Sequence, residues 1–434
     1  MIGRMLTTMV FGGMVLVGSM AQAGDWPQWR GPNFNGSAAA DEKQPPITFS
    51  KTENVAWVRP MPGPSAATPV VMGDRVFVSS FVPDTVSVDA ICVDRRTGEI
   101  LWQRRLGPGR DSRSPNTENY LAEPSAVTDG RKVIFQTGNG DLVAFTMEGE
   151  EIWRRNLQDE YGSFAIMWGY ASSPLLYKDK LYVPVLQRDR IYGNDPQPRE
   201  SFLLCIDPNT GKNIFRVLRP DDARDESKES YGTPIPREVD GRTEIVLLGG
   251  DCITGHDAET GKELWRYGGW NPRKINHWRI VPSPTVGGGL VYASAPKGQP
   301  VFAVKIDENN QTSTAWKFTE APTDVATPLF YDGDLFVLNG EGRDKYLSRI
   351  DPATGQTKWS AKIDSSIYIR SSPTAADDTI YFINAEGVAF VYSAKDGSQL
   401  HKVELGGYPT RASISIAGGQ LFIRTAEALY CIGK

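Results

Sequence analysis

A turn signature that returns along the whole chain limits what this sequence can fold into. It reads Asp94-Arg95-Arg96-Thr97-Gly98, Asp207-Pro208-Asn209-Thr210-Gly211, Asp257-Ala258-Glu259-Thr260-Gly261 and Asp351-Pro352-Ala353-Thr354-Gly355. Each copy follows a short apolar run. The Asp carboxylate can accept backbone N–H groups within the turn, and the Gly supplies the positive φ that closes a bulged hairpin. Four residues after each Gly stands a large ring: Trp102, Phe215, Trp265 and Trp359. The degenerate turn at Glu148-Gly149 is followed by Trp153, and Asp396-Gly397 by His401. Asp307-Glu308-Asn309-Asn310 has lost the Gly yet is still followed by Trp316. The seven ring slots lie 42 to 62 residues apart, a period that belongs to stacked β units.

Ahead of each turn the order is constant. A Ser/Thr-Pro pair opens a strand at Thr68-Pro69, Ser173-Pro174, Thr233-Pro234, Ser283-Pro284, Thr327-Pro328 and Ser372-Pro373, with Pro124-Ser125 and Ala412-Ser413 in the two remaining places. A tight turn and a second apolar strand follow, such as Arg75-Val76-Phe77-Val78. Each unit therefore holds four strands, the last carrying the ring, which is a propeller blade. Eight first strands are present but only seven fourth strands follow them. Asn54-Val55-Ala56-Trp57-Val58 supplies the missing one, with Trp57 in the ring slot. The expected fold is all-β: an eight-bladed β-propeller of four-stranded blades, its ring closed by an N-terminal strand. An open solenoid would need capping repeats and leaves the strand count unbalanced.

The first residues read as an export signal: Arg4, an uncharged apolar stretch from Met5 to about Met20, then Ala21-Gln22-Ala23. That stretch is short for a bilayer span, and no Cys follows the cleavage pattern. The expected organisation is a signal peptide at 1–23, an extension at 24–53 and a single propeller at 54–434. The chain is expected to be periplasmic or secreted, cleaved near Ala23, not a lipoprotein, and without a transmembrane segment after cleavage. A formal net charge of −5 argues against nucleic acid as the partner.

The repeated D-x-x-T-G-x-x-x-W motif resembles the quinoprotein-type (PQQ-like) propeller repeat. Asp25-Trp26-Pro27-Gln28-Trp29-Arg30-Gly31-Pro32, Trp168-Gly169-Tyr170-Ala171-Ser172-Ser173-Pro174 and His277-Trp278-Arg279-Ile280-Val281-Pro282-Ser283-Pro284 resemble segments of exported bacterial PQQ-like repeat proteins. The chain is also similar in size to the outer-membrane-assembly propeller scaffold, which is not an enzyme. The quinoprotein dehydrogenases imply PQQ with calcium, the cofactor lying against a disulfide between adjacent cysteines. Here Cys92, Cys205, Cys252 and Cys431 are far apart. Cys92, Cys205 and Cys431 read as small buried hydrophobes, and Cys252 as a free thiol in a loop.

The long connections precede first strands or follow second strands, so they gather on one face of the disc, where binding usually sits. Counting back by two from each strand opening selects one face: Glu123, Glu229, Tyr231, Arg279, Tyr368, Arg370 and Arg411. Trp168, Tyr170 and His277 come from the same long loops. These ten are the candidate ligand-binding residues of a channel mouth. Arg offers a planar fork to carboxylate, phosphate or sulfate; alternatively, Glu and Arg neutralise each other and plug the channel. The charged run from Asp221 to Glu229 reads as a solvated loop. His256 and His401 read as structural by position. No catalytic residue, no metal ligand set and no cofactor is expected. The favoured function is a non-enzymatic scaffold recruiting a protein, peptide or glycan on the loop-rich face. The alternatives are a PQQ- and calcium-dependent oxidoreductase acting on alcohols or sugars, and a polysaccharide-active enzyme.

Overall fold

The computed structural model describes residues 24–110, 121–190 and 198–433, so the expected signal peptide lies outside the described residues. Within them the chain forms eight four-stranded antiparallel sheets. Seven take their strands in sequence order from the inner to the outer edge. In blade 3 these are Leu175–Tyr177, Lys180–Val185, Phe202–Ile206 and Asn213–Leu218. The eighth is built from Ser415–Ala417, Gln420–Arg424 and Ala428–Ile432, and its outer strand is Val55–Pro60 from the other end of the chain. Trp57 pairs with Cys431 and Val58 with Tyr430. The ring closes as the strand count requires.

The repeated turn and ring form one joint between neighbouring blades. In the turn, Asp207 accepts the N–H groups of Asn209 (2.8 Å) and Gly211 approaches its main-chain carbonyl (2.9 Å). The Asn209 N–H and the Thr210 hydroxyl hold the Asp207 carboxyl below the usual carboxylate range, against a smaller effect of burial. The ring on the outer strand docks under the turn of the next blade, as Phe215 does under Gly261, and where it is Trp it donates its indole N–H to a carbonyl there. Trp57 donates to Arg95 (2.7 Å), Trp102 to Met147 (3.0 Å), Trp153 to Pro208 (3.0 Å), Trp316 to Pro352 (2.8 Å) and Trp359 to Lys395 (3.1 Å). The turn Gly lies flat on that ring: a Cβ on Gly98 would come within 2.6 Å of Trp57. His401 performs the same task with its Nε2 2.6 Å from the Phe49 carbonyl. Trp265 is the exception. The next blade has Asn310 where the others have Gly, and Trp265 folds back over Gly255 of its own blade, donating to the buried Glu244 (2.8 Å).

The Ser/Thr-Pro pairs form a second joint, nearer the axis. Each Ser or Thr offers its hydroxyl oxygen to the backbone N–H of the equivalent residue in the preceding blade. The series runs Thr68 to Ser125, Ser173, Thr233, Ser283, Thr327, Ser372 and Ser413, and Ser413 N–H returns to Thr68, all at 2.7–3.1 Å. All eight residues are buried. In six of the eight a Pro follows, with no N–H of its own to satisfy, and the closed ring gives a hydrogen bond to a backbone donor that would otherwise be buried unpaired.

The segment ahead of the closing strand crosses the channel on the side away from the long loops. Trp26 bridges to Val71 on the inner strand of blade 1, and Pro27 accepts from Thr128 on that of blade 2. Phe34 meets Tyr177 of blade 3 edge-on, Asn35 accepts from Phe330 of blade 6, and Ser37 bridges to Ala375 of blade 7. Arg30 is fully buried within this span. It donates to the carbonyls of Asn35 (2.9 Å), Pro328 and Pro373 (both 3.1 Å), and burial away from any carboxylate lowers its guanidinium to about 9.

All four cysteines are buried and free. Cys252 corrects the loop assignment, because it opens the strand Cys252–Asp257. The charged run is not a solvated loop either. Asp225–Lys228 form one turn of 3-10 helix, and Ser227 and Glu229 are fully buried because the run packs beneath the next loop.

Candidate functional site

The loops before blades 4 and 5 zip together at the mouth. Ser230 and Ile280 form a parallel bridge, with Tyr231 N–H donating to the Ile280 carbonyl (3.0 Å) and Ile280 N–H to that of Glu229 (3.2 Å). This brings Glu229 under the loop that carries Met167 and Trp168. Glu229 has no exposed surface. One carboxylate oxygen accepts from the Tyr231 hydroxyl (2.7 Å) and Met167 N–H (3.1 Å), and the other pairs with Arg188. Burial raises the Glu229 carboxyl above its usual range in spite of Arg188, and burial together with Glu229 pushes the Tyr231 phenol well up. Trp168 is exposed on top and donates its indole N–H to Glu226 (3.2 Å). Arg279 approaches the same Glu226 oxygen at 3.7 Å.

Tyr170 does not belong to the accessible mouth. Its ring stacks on Phe164 and its hydroxyl donates to the Pro184 carbonyl (2.8 Å), leaving 2% of the residue exposed. His277 is exposed and 3.4 Å from Asn276 Oδ1, outside the cluster around Glu229. Glu123 stands half-buried where blade 2 begins.

A second group collects where blades 6 to 8 meet. Arg370 donates to Glu341 (2.9 Å), and its guanidinium lies 4.1 Å from the centre of the Tyr368 ring. The Tyr368 hydroxyl is 3.4 Å from that of Tyr408, a residue that is 61% exposed. Beside them Arg411 has no hydrogen-bond or ion-pair partner among the described residues, and its Nε is buried. The mouth is thus unequal. Its blade 3–5 side is internally neutralised, and its blade 6–8 side presents an uncommitted cation beside two phenols.

The structure brings in Arg188, Glu341 and Tyr408, which the strand-opening count does not reach. Arg188 and Glu341 follow second strands and Tyr408 follows an outer strand. No signal local to the first strands could have found them. Among the described residues no group of three or more His, Cys, Asp or Glu side chains could hold a metal ion. No helix there is long and apolar enough to cross a membrane.

The profile of the family described as "Outer membrane protein assembly factor BamB" matches residues 47–183, 87–334 and 309–432. The chain belongs to this PQQ-type propeller family. It is 21% identical to a polyvinylalcohol dehydrogenase of a Pseudomonas species over 268 residues, 55% of this chain and 40% of that protein. The match therefore spans well under half of that relative. The fold superposes on a quinohemoprotein alcohol dehydrogenase from Comamonas testosteroni with a TM-score of 0.66 at 14% identity, covering 96% of this chain and 82% of that one. It superposes on BamB from Moraxella catarrhalis with a TM-score of 0.57 at 15% identity, covering 85% and 94%. Likeness at this level of identity shows the fold alone.

Proposed function

We propose that this protein is a non-enzymatic binding propeller of the periplasm or cell exterior, recruiting a protein, peptide or glycan on its loop-rich face. The observation that carries the reading is the division of the mouth. The buried carboxylate beneath the mouth, Glu229, is already engaged by Arg188, Tyr231 and Met167 N–H. Arg411, by contrast, stands ready to pair beside the exposed Tyr408. Such a surface recognises an acidic or hydroxyl-bearing group through charge-assisted hydrogen bonds. The double variant Arg279→Ala/Arg411→Ala is expected to lose ligand binding on glycan and peptide arrays while its melting temperature stays nearly unchanged, because neither side chain makes a close ion pair. A large fall in stability would instead mark these residues as a plug.

Kinship with dehydrogenases supports a second reading, a quinoprotein oxidoreductase. PQQ with calcium fits these residues poorly. The described residues offer no carboxylate set for an ion, and the cysteines sit buried and unpaired in separate strands. Incubation with PQQ and calcium followed by absorption spectroscopy and a dye-linked alcohol assay tests this reading; a bound chromophore with turnover would establish it over the scaffold.

Export with cleavage after Ala23 accords with the position of Gly24, whose N–H lies 3.1 Å from a Glu42 carboxylate oxygen. A free ammonium there would gain an ion pair. N-terminal sequencing of the protein from culture fractions reads the site directly.

A further inference from the structure

Apart from the mouth, a cleft of about 560 Å³ opens on the rim of blade 4. Asp221 and Asp222 wall it from the loop leaving blade 3. Asp251 and Cys252 wall it from the turn between the second and third strands of blade 4, and Arg266 and Gly268 from the end of its outer strand. The cations around it are already committed. Arg266 makes a two-pronged pair with Glu263 (2.7 and 2.6 Å) and donates its third nitrogen to Cys252 Sγ (3.0 Å). Lys228 lies between Asp221 (3.1 Å) and Asp189 (3.2 Å), and Lys274 pairs with Asp222. Arg219, behind the wall, donates to Thr254 Oγ1 (2.8 Å) and the Cys252 carbonyl (3.0 Å), while its Nη1 is buried without a hydrogen-bond partner.

Asp251 is the group left short. It is 5% exposed; its Oδ2 accepts from Asn271 (2.7 Å), and its Oδ1 is buried with no partner. The Asp221 carboxylate lies over the neighbouring Gly250, where a Cβ would come within 2.6 Å of it. A carboxylate oxygen without a donor, beside two further carboxylates, is costly to keep. A sugar hydroxyl would satisfy the oxygen but leave the mutual repulsion, and among the described residues no aromatic ring lines the cleft to stack on a sugar face. A metal ion lacks a grouped ligand set among the described residues. A donor-rich organic cation answers both needs.

We propose that this cleft is a receptor for an ammonium or guanidinium head, which pairs with the carboxyl groups of Asp221 and Asp251 that line it. The head belongs either to a small amine or to a Lys or Arg side chain of a protein partner. The site is independent of the reading of the mouth.

Calorimetric titration of the full chain with agmatine, and in parallel with an end-blocked Gly-Arg-Gly peptide, tests it. Saturable binding of either probe is expected, weakened at least tenfold in Asp251→Asn and unchanged in Arg411→Ala, whereas a ligand of the mouth would respond in the opposite way. Binding of agmatine alone assigns the site to a small amine; binding of the peptide as well assigns it to a partner side chain. If Asp251→Asn lowers the melting temperature by more than a few degrees, Asp221→Asn carries the comparison. The proposal is overturned if neither probe binds, if both carboxamide variants bind as the parent does, or if calcium or methyl glucoside binds in an Asp251-dependent manner instead.

Discussion

Two buried titratable side chains pull the pH dependence of this fold in opposite directions. His256 is 1% exposed, with Nδ1 3.0 Å from the Gly261 carbonyl and Nε2 3.0 Å from Thr254 Oγ1. Burial pulls its imidazole down to about 4. The unfolded chain takes up a proton there below pH ~6.5, and the folded chain only near 4. Stability therefore falls as pH drops through that window, by about 3 kcal/mol in all. Asp251 behaves in the opposite sense, because burial raises its carboxyl to about 6. The folded chain holds that proton to higher pH than the unfolded one, so this contribution is lost as pH rises from about 4 to 6. Denaturant unfolding between pH 4.5 and 6.5 should separate them. His256→Gln is expected to flatten or reverse the rise of stability with pH, and Asp251→Asn to steepen it. Identical slopes in both variants would contradict the assignment.

At the scale of the blade element, the turn glycines show when a recurring Gly is a matter of backbone and when it is a matter of packing. Gly342 and Gly355 have nearly equal φ, +72° and +73°. Nothing lies within 4 Å of a Cβ on Gly342, whereas a Cβ on Gly355 would lie 2.6 Å from Trp316. That ring cannot retreat freely, since its N–H is held by the Pro352 carbonyl. Gly342→Ala should cost about 1 kcal/mol, the strain of a left-handed alanine. Gly355→Ala should cost about 3 kcal/mol or more through the added clash, measured by thermal or denaturant unfolding. Blade 4 shows the same rule in nature's own variant: where the facing turn carries Asn310, Trp265 leaves the joint. The D-x-x-T-G-x-x-x-W motif was legible as a turn followed by a ring. That the ring serves the next blade's glycine was not, because the two are separated by a whole unit.

For the whole molecule, closure rests on three devices: the N-terminal outer strand, the Ser/Thr ring and the segment that crosses the channel. The last makes the mouth a pit with a floor instead of a through-channel. Removing residues 24–46 while keeping the closing strand takes away Trp26 and Arg30 and uncovers the inner strands of blades 1 and 7. The melting temperature should fall by about 10 °C. Binding at the mouth, on the opposite face, should persist. Loss of binding at unchanged stability would show that the floor contributes to the site.

The sequence by itself determined the blade, the count of eight and the closure through Trp57. Those properties depend on strand period and turn chemistry between residues close along the chain, and the missing outer strand could be counted. Of the candidate mouth, it singled out Glu229, Tyr231, Arg279, Tyr368, Arg370 and Arg411 as residues at the entries to first strands. It could not tell Tyr170, which packs inward, from Trp168, which stays exposed. Only the tertiary structure decided that Arg188 neutralises Glu229 while Arg411 is left unpaired, and that Asp251 lacks a donor. Only it showed Arg30 reaching Pro373, 343 residues away. These are meetings between loops of different blades, set by how the ring closes in space, and no periodicity along the chain records them.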